Sequence, residues 1–447
     1  MTDRSRIDLR APADVLRIVD TLEAAGFSAW AVGGAVRDAL ASGRPEDWDI
    51  ATSAHPRQVQ RLFRRTAPIG VDHGTVGVLG SSGRMYEVTT FRRDVETFGR
   101  KARVAFAETI DEDLGRRDFT INAVAWHPRT REVRDPHGGM RDLEAGVLRT
   151  VGDAEQRFEE DRLRVLRALR FAGRFDLRID ERTWSAIVSS ADRLDHLSAE
   201  RVREELFKVL TGQTHPSISL DLYGEAGVLA ALYPELERCR THAGGEAWRT
   251  SLRAVDSGSR LRREVRLAAL LHRVGSCREV DGQTAPADGA AASAGIARQV
   301  LRRLRSSNAH TDRVTHLIAL HAPVPRPDAA DPELRRWLRR IGREHDADLF
   351  RLLFAICRAG GGTPAEAAEL RELHRRSRQI LSSGAPLQVT ELAIGGDDLR
   401  ALGIPPGPAY GEILRELLER VTEQPSLNKR ESLVRLVEAE MTGWSEG

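Results

Sequence analysis

The 447-residue chain is 41% hydrophobic and 30% charged with a formal charge of +2, a soluble globular composition that excludes a disordered chain and, at this length, calls for two to four domains. Near-neutrality gives no global basic field, yet Lys101, Lys208 and Lys429 are the only lysines. All other cations are arginines, whose planar donor fork suits phosphate and base edges, although a GC-rich coding bias produces the same excess. Cys239, Cys277 and Cys357 lie far apart without a CxxC, which argues for a reducing compartment and against a zinc site. The first twenty residues lack an apolar signal core and no run approaches a membrane span, so a cytoplasmic location is expected.

In chain order, PADVLRIVDTLEAAG (residues 12–26) has helical periodicity and a glycine stop. AWAVGGAVRDAL reads as a short buried strand, a glycine turn and a helix start. DWDIAT, HGTVGVLG and MYEVTTFR read as three further strands. From Asp153 onward almost every segment is an arginine-laced amphipathic helix, including EQRFEEDRLRVLRALRFAGRF, SAERVREELFKVL and LRREVRLAALLHRVG. GQTAPADGAAASAG (residues 282–295) is expected as a loop, GGGTP (360–364) as a break, and SSGAPLQ (382–388) as the approach to a last helical unit.

Asp47 and Asp49 stand two residues apart in the expected second strand, which puts both carboxylates on one face. A hard divalent cation such as Mg²⁺ bridges such a pair and takes its remaining oxygens from phosphates and water. The preceding Gly33–Gly34 turn lets a backbone approach a triphosphate closely, with helix amides to favour its charge and Arg37 four residues on. A lone DxD is commonly a solvated surface pair; the combination with GGxxR is the stronger signal. Further along, Asp161, Arg164, Arg167 and Arg170 recur every third residue as one slanting helical stripe. Alone, that stripe equally describes a solvated face braced by carboxylates.

GGAVRD followed by EDWDIAT resembles the signature of the polymerase-β nucleotidyltransferase superfamily, and within it the class II tRNA nucleotidyltransferases and the related bacterial poly(A) polymerases. DLGRRDFTINAVAW (113–126), DPHGGMRDL (135–143), RFEEDRLRVLRALRF (157–171) and ERVREEL (200–206) continue the likeness in order, as does GDDLRALGIPPGPAYGEILRELL near the end. The resemblance implies an α+β fold: a small mixed-sheet nucleotidyltransferase head (1–150), then an extended all-helical neck (151–215) for base recognition, a body (216–380) and a tRNA-binding tail (381–447). It implies that Asp47 and Asp49 hold the catalytic metal, with Glu87 as a third strand carboxylate that helps activate the attacking hydroxyl. Gly34, Arg37 and Arg116 match positions that contact the incoming nucleotide. For Arg117 and Asp118 a helix cap with salt bridges is the plainer reading, and Asn122 is expected to be mainly structural.

Asp161 and Arg164 match the residues that serve the family as a protein template for the base. Cytosine and adenine both present an amine donor beside a ring-nitrogen acceptor, which a carboxylate and a guanidinium read together. Uracil and guanine invert that pattern and leave both side chains unpaired. Arg167 and Arg170 then hold phosphate or support the template. The implied reaction is Mg²⁺-assisted transfer of a nucleotide from CTP or ATP to the 3′-hydroxyl of tRNA, completing CCA. CC-only addition, A-only addition, a poly(A) polymerase, and a silent RNA-binding relative are the alternatives.

Two departures qualify the likeness. Many relatives carry YxDGRRP after TFR, in a loop that helps the switch from C to A addition. Here RRDVETFGRKARVAFAETIDEDL lacks that tyrosine and proline while keeping Arg100, Lys101 and Arg103. The middle region resembles an HD phosphohydrolase domain stripped of its ligands, with Thr250 where a histidine is expected, Arg273 after His272 in place of aspartate, and His321 as a remnant. No phosphatase activity is expected of it.

Overall fold

The computed structural model describes residues 7–444 apart from 8, 43–44, 46, 71–73, 99–100, 258–261, 278, 281–282 and 285–288. The chain divides into two compact units, residues 1–213 with 218–233, and residues 214–217 with 234–447.

The first unit begins with helix α1 (Ala13–Ala24), strand β1 (Ala29–Val32), α2 (Gly34–Ser42), β2 (Asp49–Thr52) and α3 (Pro56–Leu62). Strands β3 (Thr66–Gly70), β4 (Thr75–Leu79) and β5 (Met85–Thr90) follow, then β6 (Arg92–Phe98) and β7 (Lys101–Phe106). After α4 (Ile110–Gly115) come β8 (Ala125–Trp126), β9 (Val133–Arg134), α5 (Gly139–Glu144) and β10 (Val147–Leu148). Helices α6 (Ala154–Glu160) and α7 (Leu163–Phe175), strand β11 (Arg178–Ile179), and helices α8 (Glu181–Ser190) and α9 (Ala199–Gly212) continue the unit.

Seven strands form one mixed sheet in the order β3-β4-β5-β2-β1-β8-β9. Its β2–β5 pair is parallel and the other pairs are antiparallel. β1 is buried along its whole length, so it reads as an unbroken apolar run. Its alternate side chains split between two cores. Ala29 and Ala31 join Val15, Ile18, Val19 and Leu22 of α1, while Trp30 and Val32 join Phe91, Ile110 and Leu114. The i, i+3, i+4, i+7 spacing of the α1 residues is what seats that helix on the sheet.

A single carboxylate ties α1 to the β4–β5 turn. Asp14 is 5% exposed and accepts hydrogen bonds from the backbone and hydroxyl of both Ser81 and Ser82 at 2.6–3.2 Å. Those four donors favour the ionised form and hold its pKa well below the usual carboxylate range.

β6 and β7 pair as an antiparallel hairpin across the stretch that departs from YxDGRRP. Arg100 lies outside the described residues, as do the side chains of Lys101 and Arg103. The segment 282–295 is not the loop expected: its second half opens a helix, Gly289–Arg303. Its alanines are the strongest helix formers, and low complexity hid that propensity.

The second unit is mostly helical. Asp348, 1% exposed, is held by Arg313 at 2.6 Å and Arg351 at 2.7 Å. A terminal cluster packs Leu399, Leu417, Val421, Leu433 and Val437 together. In the HD-like stretch, Thr250 is buried and accepts a hydrogen bond from Arg253 at 3.2 Å. His272 donates from Nδ1 to the Ala269 carbonyl at 2.8 Å and meets His321 edge-on at 5.5 Å. Burial pushes the His272 imidazole down to about 3, so it is a neutral packing group at physiological pH. Among the described residues no helix is long and apolar enough to cross a membrane.

Candidate active site

The carboxylates sit where β1 runs out. β1 ends at Val32, paired with Asp49, and Gly33 at φ 71° turns the chain away into α2. On the β1 side the ladder ends at this pair, and β2 starts at Asp49, although β5 on its other side runs back to Met85. This corrects the expectation that Asp47 and Asp49 share a strand: Asp47 precedes it, its side chain 94% exposed and 3.3 Å from Arg84. On the other side of β2, the parallel register sets Asp49 directly against Glu87 of β5.

The electrostatics record this crowding. Burial first, then Glu87 and, more weakly, Asp47 push the Asp49 carboxyl up to about 6, with Arg117 acting in the opposite sense. Gly33 is the glycine this corner requires. A Cβ there would combine a left-handed φ with a 2.9 Å approach to Arg117 Nη1, and it would lie 3.8 Å from Asp49 Oδ2. Gly34 opens α2 without a positive φ, and a Cβ there would meet only Arg37 Nη2 at 3.5 Å. Among the described residues nothing demands its lack of a side chain.

Arg37 is 4% exposed. It donates to Asn122 Oδ1 at 2.5 Å and to Asp38 at 2.7 and 2.9 Å, and its guanidinium lies 5.1 and 4.4 Å from the Phe171 and Phe175 rings. Asn122 in turn donates to Asp118 at 2.9 Å, and Asp118 also accepts from Arg167 Nε at 2.8 Å. These links fasten α2 to α7, with Arg37 and Arg167 as braces. Asp113 does the same for the end of α4, accepting from Arg116 at 2.7 and 3.0 Å and from Arg117 at 3.0 Å.

The stripe on α7 is broken at its first member. α6 ends at Glu160 and α7 begins at Leu163, leaving Asp161 extended at φ −151°, ψ 101°. The physical reason is local: its carboxylate takes the Leu163 amide at 3.1 Å, a bond that competes with continuing the helix. Arg164 stands 2.6 Å from Glu160 and 3.4 Å from the Arg116 carbonyl, which brings two of the expected nucleotide contacts together. Arg170 is 6% exposed and binds Glu205 at 2.7 Å, where it supports the fold.

Sequence reasoning missed Arg117 beside Asp49, for which its pattern holds no signal. It also missed Glu160, although the i, i+4 spacing to Arg164 was readable.

These residues fit a divalent cation. Asp47, Asp49 and Glu87 offer hard oxygen donors, and a cation would relieve the repulsion that raises Asp49. Among the described residues no group of three or more His, Cys, Asp or Glu side chains stands where it could hold a metal ion by itself. An ion that borrows oxygens from substrate phosphates requires no such group.

Known proteins share long stretches of this chain. Residues 29–149 match the poly(A) polymerase head domain, residues 176–239 the RNA and SrmB-binding site of polymerase A, and residues 291–437 tRNA nucleotidyltransferase domain 2. The fold is thus that of a nucleotidyltransferase. The chain is 35% identical to the CCA-adding enzyme of Lactiplantibacillus plantarum, over 93% of each chain, and 34% identical to that of Geobacillus kaustophilus, over 94% of each. It superposes on the crystal structure of the Bacillus stearothermophilus CCA-adding enzyme in complex with CTP with a TM-score of 0.76, at 32% identity and covering 97% of this chain and 98% of that one. The chain belongs to the CCA-adding enzyme family.

Proposed function

We propose that this chain transfers nucleotides from CTP and ATP to the 3′ end of tRNA in the cytoplasm, building or repairing the terminal CCA. The observation that carries the catalytic assignment is the pairing of Asp49 with Glu87 across β2 and β5, with Asp47 at the mouth of the strand. Asp47 and Asp49 would hold Mg²⁺, which would supply positive charge where negative charge builds up during phosphoryl transfer. Glu87 accepts a hydrogen bond from the RNA 3′-hydroxyl and orients it towards the α-phosphate, with pyrophosphate as the leaving group.

Gly34 offers bare backbone to the triphosphate and Arg116 adds a cation beside it. Arg37 acts from beneath, fixing the turn through Asp38 and Asn122. Asp161 accepts from the exocyclic amine and Arg164 donates to the ring nitrogen of cytosine or adenine. Arg167 and Arg170 hold α7 in place behind them. Four parts serve this work: head 1–150, neck 151–215, body 216–380 and tail 381–447. The arginine-rich helices after the head grip the tRNA by shape and phosphate, so binding weakens with salt.

The assay supplies tRNAs ending at the discriminator base, at C, or at CC, with each nucleotide given separately. Two C additions followed by one A are expected. A stall after CC would instead favour a CC-only enzyme, the reading attached to the β6–β7 hairpin, and no addition to any substrate would overturn the proposal.

A further inference from the structure

We infer that Arg201 is a positioning residue for nucleotide selection: its guanidinium fixes the orientation of the Asp161 carboxylate. The inference rests on Asp161 reading the base edge, as proposed above. Asp161 lies in the gap between α6 and α7, so no helix sets its direction. Each of its carboxylate oxygens has a tether of its own. Oδ1 accepts from the Leu163 amide at 3.1 Å, and Oδ2 accepts from Arg201 Nη2 at 2.7 Å. Together the two bonds define the plane of the carboxylate. Arg201 reaches it from the first turn of α9, forty positions along the chain.

The other arginines of this region act differently. Arg167 binds Asp118 and Arg170 binds Glu205, acceptors whose side chains are 9% and 1% exposed. Those pairs belong to the interior. In the Arg201–Asp161 pair the side chains are 42% and 33% exposed, so the carboxylate is open to a ligand. An ion pair this exposed adds little to stability. A carboxylate oxygen has room for a second donor, so an exocyclic amine can bind Asp161 while Arg201 stays in place. A lysine would keep the charge but lose the planar fork that sets direction.

The test uses the full chain with Arg201→Ala, Arg201→Lys and Asp161→Asn. For Arg201→Ala we expect a melting temperature near that of the parent, with KM for CTP and ATP raised about tenfold, the scale of one charge-assisted hydrogen bond. The preference for CTP over UTP should fall by a similar factor, kcat and the KM for tRNA should hold, and Arg201→Lys should recover part of the preference. Unchanged nucleotide KM and unchanged preference in Arg201→Ala would overturn the inference, as would a rise confined to the KM for tRNA, the mark of a phosphate contact. Asp161→Asn separates the two levels. If it loses nucleotide choice while Arg201→Ala keeps it, only the role of Arg201 fails; if it keeps nucleotide choice, the base-reading assignment fails as well.

Discussion

Asp49 and Glu87 oppose each other one to one across the parallel β2–β5 ladder. Two acids in that register repel, and burial of Asp49 adds to the cost, which leaves its carboxyl at about 6 instead of 3.8. The folded state therefore binds this proton more tightly than the unfolded chain. Ionised Asp49 opposes folding above pH 6, and the penalty fades as the pH falls from 6 towards 4.

Replacing Asp49 with Asn should thus raise thermal stability at pH 7, by at most about 3 kcal/mol for a shift of this size. The gain should shrink as the pH falls from 6 and vanish below about 3.8, where both states carry the proton. Nucleotide addition should drop by at least about a hundredfold, the usual loss when charge stabilisation at a reacting centre is removed. Melting curves of both proteins across pH, with turnover at pH 7, check this.

A divalent cation should reverse the shift. Adding Mg²⁺ to the parent protein at pH 6 should release a proton and raise its melting temperature, whereas the Asp49→Asn variant should show neither response. In the parent, activity should decline as the pH falls through about 6, and more Mg²⁺ should move that midpoint to lower pH. Proton release in weak buffer and thermal melts measure the first pair of effects, and a pH–rate profile the second.

Adjacent glycines should respond differently to alanine. At Gly33 the left-handed φ and the 2.9 Å approach to Arg117 Nη1 should cost about 1–2 kcal/mol and reduce turnover by displacing Arg117. At Gly34 stability should change by less than about 0.5 kcal/mol. The KM for nucleotide should rise there, because only a substrate needs that space.

Arg170→Ala should destabilise the protein by about 2–4 kcal/mol, since it removes the buried partner of Glu205 and leaves only Lys208 at 2.8 Å. The KM for CTP in the folded fraction should stay within about twofold of the parent. Denaturant titration followed by kinetics at low temperature separates the two effects.

The strand–glycine–helix corner, the carboxylates and the helical remainder were legible because each has a local signature. Alternation marks β5, a glycine pair marks the turn, and 3.6-residue periodicity marks α7 and α9. The start of β2 was not legible, since nothing in DWDIAT itself marks Asp49 as the first paired residue. Nor was the break at Asp161, where one side-chain hydrogen bond outweighs an otherwise helical pattern. Arg37 shows the same limit: its sequence spacing placed it at the turn, but only the fold shows Phe171, Phe175 and Asn122 enclosing it. Residues brought together across 40 or 85 positions, such as Arg201 with Asp161 and Arg37 with Asn122, carry no local trace.

The mooring of the β4–β5 turn to α1 makes the reacting face depend on a residue that takes no part in the chemistry proposed for it. The turn held by Asp14 leads within three residues to Arg84, the neighbour of Asp47, and then into the strand that bears Glu87. A Cβ on Gly80 would come within 2.4 Å of Asp14 Oδ2, so the berth has no slack. Losing that anchorage would leave every acidic group of the centre chemically intact while letting two of the three drift from their stations.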